Sequence, residues 1–259
     1  MAVPSVGFVG SGRVAHIILG GLKRAGLMPA QVVAGDVDLG VLTRLQARFP
    51  EIRIAHNNNR EPASQDMVFL GLHPPVMAGA LGEIAGRLKP GAIVISLAPK
   101  LSRAKLTEGL AGFDRIVRLI PNAASIIGSG YNPISFPPTL TAREKGEVIS
   151  FLSALGQCPE VAEDKLEAYA IVTAMGPTYL WFQLQELRKI AESFGLSQEE
   201  ADTGVAEMIA GAGKTLFGAG MTADEVMDLI PVKPLGEEEA SIKAMYHARL
   251  EPLYKKLKG

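Results

Sequence analysis

Cysteine is nearly absent: Cys158 stands alone in 259 residues. A disulfide within the chain is excluded, and so is a thiolate-rich metal site. That usage suits a reducing compartment. A charge surplus is missing too, with 26 Lys+Arg against 27 Asp+Glu and a formal net charge of -1. Without a basic excess to meet phosphates, a general grip on nucleic acid is not expected. No apolar run approaches the roughly eighteen residues that a membrane span needs. The opening stretch MAVPSVGFVGSGRVAH lacks a basic leading region, and its glycines and Arg13 interrupt any signal-peptide core. The expectation is a cytoplasmic protein with no membrane partner, no nucleic-acid partner and no metal site.

What is present is ordinary globular material, 47% hydrophobic and 20% charged. The first half alternates short apolar runs with amphipathic stretches. Strands are predicted at Ser5–Val9, Gln31–Ala34, Arg53–Ala55, Met67–Leu72, Ala92–Leu97 and Ile116–Ile120. Helical spacing falls between them, at Ala15–Ala25, Leu39–Arg48, Val76–Leu88 and Leu101–Leu110. Met67–Leu72 is a continuous apolar run, the pattern of a strand buried on both faces, and Ala92–Leu97 is another; alternation of strand and helix at this pace gives a parallel sheet. Right-handed crossovers then give a doubly wound α/β domain. An added strand is expected at Asn132–Phe136 and a last one at Cys158–Ala162. Between them Thr141 opens a helix, with Glu144 three residues on as a capping box.

After Glu163 strand signals stop. Helical periodicity covers Lys165–Phe194, Ser197–Phe217, Thr222–Leu229 and Glu237–Leu257. The predicted layout is a domain over residues 1–163 and an all-helical one over 164–259. The helices are rich in Ala, Gly, Met and Leu. They are expected to supply a core and an interface between two copies, a homodimer.

The sharpest motif is Gly10-x-Gly12-x-x-Ala15, after a strand and before a helix. Gly10 permits the tight turn, Gly12 lets a pyrophosphate approach the backbone, and Ala15 lets the helix pack on the strand. Gly10, Ser11, Gly12, Arg13 and Val14 are therefore expected to hold a dinucleotide at the helix N-terminus, in a Rossmann-type fold. Asp36 ends the second strand, where an acid accepts hydrogen bonds from the adenosine ribose. Its charge opposes a 2′-phosphate and tips the expectation from NADP toward NAD. Asp38 is the alternative ribose ligand, Arg44 an alternative phosphate contact, and either aspartate is an alternative cap for the helix from Leu39.

The whole chain resembles the pyrroline-5-carboxylate reductase family. The glycine loop carries the resemblance first. Leu70-Gly71-Leu72-His73-Pro74 is similar to the family's Ala-Val-Lys-Pro strand ending, and Val94-Ile95-Ser96-Leu97-Ala98 to its next strand. Arg118-Leu119-Ile120-Pro121-Asn122 matches Arg-x-Met-Pro-Asn. Gly176-Pro177-Thr178-Tyr179 matches the Gly-Pro-Ala-Tyr that opens a long C-terminal helix, and Gly211-Ala212-Gly213-Lys214 a stretch of the next. The resemblance implies a nucleotide domain, a helical dimerisation domain, and hydride transfer from a nicotinamide to a cyclic imine. It implies that Asn58 approaches the adenosine, that Leu72, His73, Pro74 and Ala98 line the nicotinamide side, and that Asn122 lies near the nicotinamide ribose.

The departures lie in the substrate half. The family's Ser-Pro-Gly-Gly-Thr-Thr loop aligns with Val232-Lys233-Pro234-Leu235-Gly236-Glu237, which keeps neither the hydroxyls nor the paired glycines. The Ser-Gly-Ser before Gly-Pro is Thr173-Ala174-Met175 here, and Pro99-Lys100 replaces an Ala-Gly pair. By position the substrate residues are Thr173, Met175, Gly176, Pro177, Gly236 and Glu237. Two groups are candidates for the proton. His73 stands at a strand end and serves either as an acid near neutral pH or as a partner for a backbone carbonyl. Glu237 serves as an acid if buried, or as a solvated residue before a helix. Two other functions share the layout. A hydroxyacid dehydrogenase needs a lysine inside the long helix, and Lys189 lies too near its end. A nucleotide-binding sensor would keep the loop and perform no chemistry.

Overall fold

The structure is a computed structural model that describes residues 4–72 and 74–259. The chain forms two compact units. One runs to Ala174 and takes in Tyr254–Gly259; the other is Met175–Leu253.

The first unit is built on a seven-stranded sheet. Its strands are β1 (Val6–Val9), β2 (Val32–Asp36), β3 (Arg53–His56), β4 (Met67–Leu70), β5 (Ile93–Ser96), β6 (Ile116–Leu119) and, after the short β7 (Gly130–Tyr131), β8 (Ile134–Ser135). The order is β3-β2-β1-β4-β5-β6-β8. The first six run parallel, and β8 pairs antiparallel with β6. Strand alternation sends side chains to two cores. Val6, Phe8, Phe69, Ile95 and Val117 pack on one face with helices α1 (Arg13–Arg24), α2 (Leu39–Arg48) and α6 (Ala142–Leu152). Val9, Val68, Leu70, Val94 and Ile116 pack on the other with α4 (Pro74–Ile84) and α5 (Arg103–Gly109). The rings of Phe8 and Phe69 stack at 5.0 Å in the first core. The fold class read from the sequence is the one observed.

One short element was not expected and two expectations change. The loop at residues 57–59 leads into the short helix α3 (Arg60–Ala63). It rests directly on the sheet, because a Cβ on Gly7 would fall 1.8 Å from the Pro62 carbonyl oxygen. The strand predicted at Cys158–Ala162 is replaced by β9 (Gly156–Gln157), paired with β7, and a single bridge from Glu160 to Ile134. Pro159 has no N–H to continue a ladder there. The periodic stretch Lys165–Phe194 is not one helix. A 3-10 turn (Glu163–Lys165), α7 (Leu166–Tyr169) and a π-helical turn (Ala170–Ala174) precede α8 (Pro177–Ser193). Pro177 cannot donate to the turn before it, so the helix restarts there. Leu166 and Ala170 pack on Ile120. That contact keeps residues 164–174 with the first unit.

The second unit contains α8, α9 (Gln198–Gly218), α10 (Ala223–Asp228) and α11 (Glu239–Lys258), whose last turn belongs to the first unit. Capping boxes start α6, α9 and α10 through Thr141, Ser197 and Thr222. Arg188 ties α8 to α9 through Asp202 at 2.8 Å. These helices bury almost nothing within the single chain. Among the described residues Ala201 is the one buried position that they contain, while Trp181, Phe182 and Phe217 are exposed, Phe217 by 88%. No helix among the described residues is long and apolar enough to cross a membrane.

Candidate dinucleotide site at the strand ends

The crossovers leave β1 and β4 in opposite directions, so a crevice opens beyond their C-terminal ends. Gly10 turns the chain there with φ +85°. A Cβ at this position would lie 2.7 Å from Leu72 Cδ2 and 2.9 Å from the Gly71 carbonyl. The turn is anchored to β2. The Gly10 N–H donates to Gly35 O at 2.9 Å, the Ser11 hydroxyl to Gly35 O at 3.0 Å, and the Ser11 N–H to Asp36 Oδ2 at 2.9 Å. Gly12, by contrast, faces open space, and a Cβ there would meet nothing within 4 Å. It begins α1 with no side-chain cap and no acid in the first turn. The helices α2, α5, α6, α9 and α10 are all capped by a side chain, from Asp38, Ser102, Thr141, Ser197 and Thr222. The first turn of α1, at Arg13 and Val14, therefore keeps unpaired N–H groups and the positive end of its dipole beside an open glycine. That arrangement fits the diphosphate of a dinucleotide.

The two aspartates divide the roles left open by the sequence. Asp38 caps α2, accepting from the N–H groups of Gly40 at 2.7 Å and Val41 at 3.2 Å. Asp36 braces the glycine turn through Oδ2 and accepts the Asp38 N–H at Oδ1, 3.0 Å away. Asn58 stands at the same edge, with its backbone oxygen against Gly35 and its side-chain oxygen accepting from the Arg60 N–H. Arg44 is exposed on α2.

Leu72 packs beside Gly10, and Pro74 begins α4. His73 lies outside the described residues. Ala98 is buried just past β5. Asn122 is buried past β6, and its polar groups are spent inside the protein. Its N–H donates to Asn132 Oδ1 at 2.9 Å, its Oδ1 accepts from the Ala124 N–H at 2.9 Å, and its Nδ2 donates to the Thr173 carbonyl at 2.9 Å. Asn122 thus clamps the π-helical turn to the end of β6. The Thr173 hydroxyl donates back to Tyr169 O at 2.8 Å. Cys158 is a free thiol, pushed by burial to about 11.

A charged cluster beneath this edge was not singled out from the sequence. Arg118, 3% exposed, reaches Glu163 at 3.1 Å and Glu167 at 2.7 Å. Arg103 joins Glu163 at 3.1 Å and donates to Ser135 Oγ at 3.0 Å. Burial pushes the Glu167 carboxyl up, but the hydrogen bond and charge of Arg118 outweigh it and hold the group below its ordinary value. Glu167 also accepts the Lys100 N–H at 3.3 Å, and Lys100 sits at φ +79°, a left-handed conformation that side chains disfavour. The traces of this cluster in the sequence are the Arg118-x-x-Pro-Asn block and the lysine in place of a glycine.

The remaining expected residues lie in the second unit. Met175, Gly176 and Pro177 are half-buried at the start of α8. The Met175 carbonyl accepts from the Thr178 N–H at 2.9 Å. Gly236 closes a turn on Lys233 O at 3.0 Å. Glu237 is exposed beside it, so the burial that an acid role requires is absent in the single chain.

Comparison with known proteins agrees with this geometry. Residues 5–100 match the family model described as NADP oxidoreductase, coenzyme F420-dependent. The chain is 26% identical to the pyrroline-5-carboxylate reductase of Pseudomonas aeruginosa, over 98% of this chain and 92% of that one. It is 25% identical to the enzyme of Methanosarcina acetivorans, over 93% and 92%. Among solved structures, pyrroline carboxylate reductase of Plasmodium falciparum, with NADP bound, superposes with a TM-score of 0.81 at 20% identity, covering 100% of this chain and 98% of that one. The reductase of Coxiella burnetii gives 0.71 at 25% identity, over 99% and 95%. Fold, glycine turn and relatives together place the chain among the NAD(P)-dependent oxidoreductases. Within that class it resembles the pyrroline-5-carboxylate reductases from end to end, as its motif blocks imply.

Proposed function

We propose that this protein reduces the C=N bond of a cyclic imine such as 1-pyrroline-5-carboxylate, working as a homodimer in the cytoplasm. The observation that carries the reading is the uncapped α1 behind an open Gly12, in a chain similar throughout to such reductases. Reduced NAD or NADP, when bound, supplies the hydride for the imine carbon. Gly10, Ser11, Gly12, Arg13 and Val14 hold its diphosphate. Asp36 and Asn58 face the adenosine, and the Asp36 charge favours NAD over a 2′-phosphorylated cofactor. Leu72, His73, Pro74 and Ala98 line the nicotinamide side, while Asn122 positions the turn that carries Thr173. Substrate contacts come from Thr173, Met175, Gly176, Pro177, Gly236 and Glu237. The imine nitrogen takes its proton from His73, Glu237 or water.

The dimer reading is supported by the second unit, whose apolar helices have no core of their own. A stable pairing buries about 1,200–2,000 Å², and four helices with exposed Trp181, Phe182 and Phe217 supply such a surface. A hydroxyacid dehydrogenase reading is disfavoured, since Lys189 is exposed and paired with Glu186 at 3.1 Å. The test is isotopic. Deuterium from labelled reduced nicotinamide should appear on the carbon next to the nitrogen of the amine product. Nucleotide binding without label transfer to any cyclic imine would replace this reading with that of a sensor.

A further inference from the structure

We infer that Lys100 is a specificity residue that recognises the carboxylate of the imine substrate; this rests on the reductase reading above. The backbone carries the argument. Lys100 is held at φ +79°, although it is neither glycine nor asparagine. Such a conformation is strained and persists where the surroundings over-determine it. Here they do. The Lys100 N–H is tied to Glu167, and Glu167 is fixed in turn by the buried Arg118, which also holds Glu163.

A glycine would remove the strain, and nothing in the packing calls for a lysine. Lys100 is exposed, and no acceptor among the described residues meets its ammonium. Its place, however, suits a ligand. It lies two positions beyond the buried Ala98, past the C-terminal end of β5, the edge at which open α/β sheets meet small molecules. The Glu167 carboxylate that fixes the Lys100 loop belongs to the same short segment as Thr173, whose carbonyl is clamped by Asn122. One buried network therefore sets a strained cation and the Thr173 turn on one unit. The loop Val232–Glu237 has no hydroxyl to offer a carboxylate, and Lys100 offers a charged donor from the first unit instead.

The test compares two imines, 1-pyrroline-5-carboxylate and 1-pyrroline, which lacks the carboxylate. Reduced-nicotinamide oxidation is followed for the full-length wild type, Lys100→Gln, Lys100→Arg and Lys100→Gly. A lost charge-assisted hydrogen bond corresponds to roughly a tenfold to hundredfold effect. The kcat/KM ratio of the carboxylated to the plain imine should fall by that factor in Lys100→Gln, mainly through KM, and recover in Lys100→Arg. Lys100→Gly should lose the same ratio while melting at or above the wild-type temperature, which separates recognition from folding. An unchanged ratio in both Lys100→Gln and Lys100→Gly, with the wild type active, would overturn the inference alone. A wild type inactive on both imines would overturn the reductase reading and the inference with it.

Discussion

Gly10 and Gly12 belong to one loop, yet they should fail in opposite ways when substituted. Gly10→Ala places a methyl group 2.7 Å from Leu72 Cδ2 and 2.9 Å from the Gly71 backbone, at φ +85°. The left-handed conformation costs about 1–2 kcal/mol, and forced overlap in a packed region adds about 1–3 kcal/mol. The fold should lose about 2–5 kcal/mol, read as a lower denaturation midpoint. Gly12→Val meets nothing within 4 Å, and Gly12 has φ −73° and ψ −150°, extended backbone with no left-handed demand. Its stability should stay within about 0.5 kcal/mol of wild type, as for a surface change. Its side chain, however, fills the space where a diphosphate would meet the N–H groups of α1. The loss of one or two such bonds should weaken reduced-nicotinamide binding by about tenfold to a thousandfold. Chemical denaturation and nucleotide fluorescence titration on both variants supply the two readouts. Unaltered nucleotide affinity in Gly12→Val would refute the assignment of this loop. Unaltered stability in Gly10→Ala would refute the packing argument.

Acid, protein concentration and cofactor choice probe other parts of the molecule. Glu167, Asp66 and Glu144 all have folded-state values below their unfolded ones, the last two at about 2; their contribution is full above the ordinary carboxylate range and is lost as pH falls toward 2, so the melting temperature should drop on acidification. Glu167→Gln should flatten part of that slope and lower stability at neutral pH by about 1.5–3 kcal/mol, because it removes one charged partner of the buried Arg118 while Glu163 remains; a neutral-pH change below about 0.5 kcal/mol would contradict the network's role. On the proposed dimer, in which a second copy covers the helices of the second unit, the melting temperature should rise with protein concentration, and a concentration-independent value with monomeric sedimentation would refute it. Asp36→Asn should shift the NADH-to-NADPH affinity ratio toward NADPH by about tenfold, the scale of one charge repulsion near a protein surface, and an unmoved ratio would place the ribose elsewhere.

Much of the nucleotide half was legible because its signals are local. Buried parallel strands such as Met67–Leu70 are continuous apolar runs, and Gly10, Gly12 and Ala15 each answer a separate steric demand of one turn. Thr141, Ser197 and Thr222 announced their helices by a glutamate three residues on. What was not legible depends on residues distant in sequence. The clamp from Asn122 to Thr173 joins positions that only the fold brings together, and so does the Arg118–Glu167 pair. The roles of Asp36 and Asp38 could not be separated by spacing, since both stand ahead of α2; hydrogen-bond direction separates them. The break at Gly176-Pro177 was visible as a motif but hidden in the periodicity, because α7, the π-helical turn and α8 follow one another without a polar linker.

The central claim is that this chain couples a retained dinucleotide site to imine reduction despite its altered substrate loop. The most direct measurement is the absorbance of reduced nicotinamide after 1-pyrroline-5-carboxylate is added to the purified protein, with NADH and NADPH in parallel. The expected result is enzyme-dependent oxidation, faster with NADH. Nucleotide binding demonstrated in the same sample, with no oxidation by this or any other cyclic imine, would contradict it.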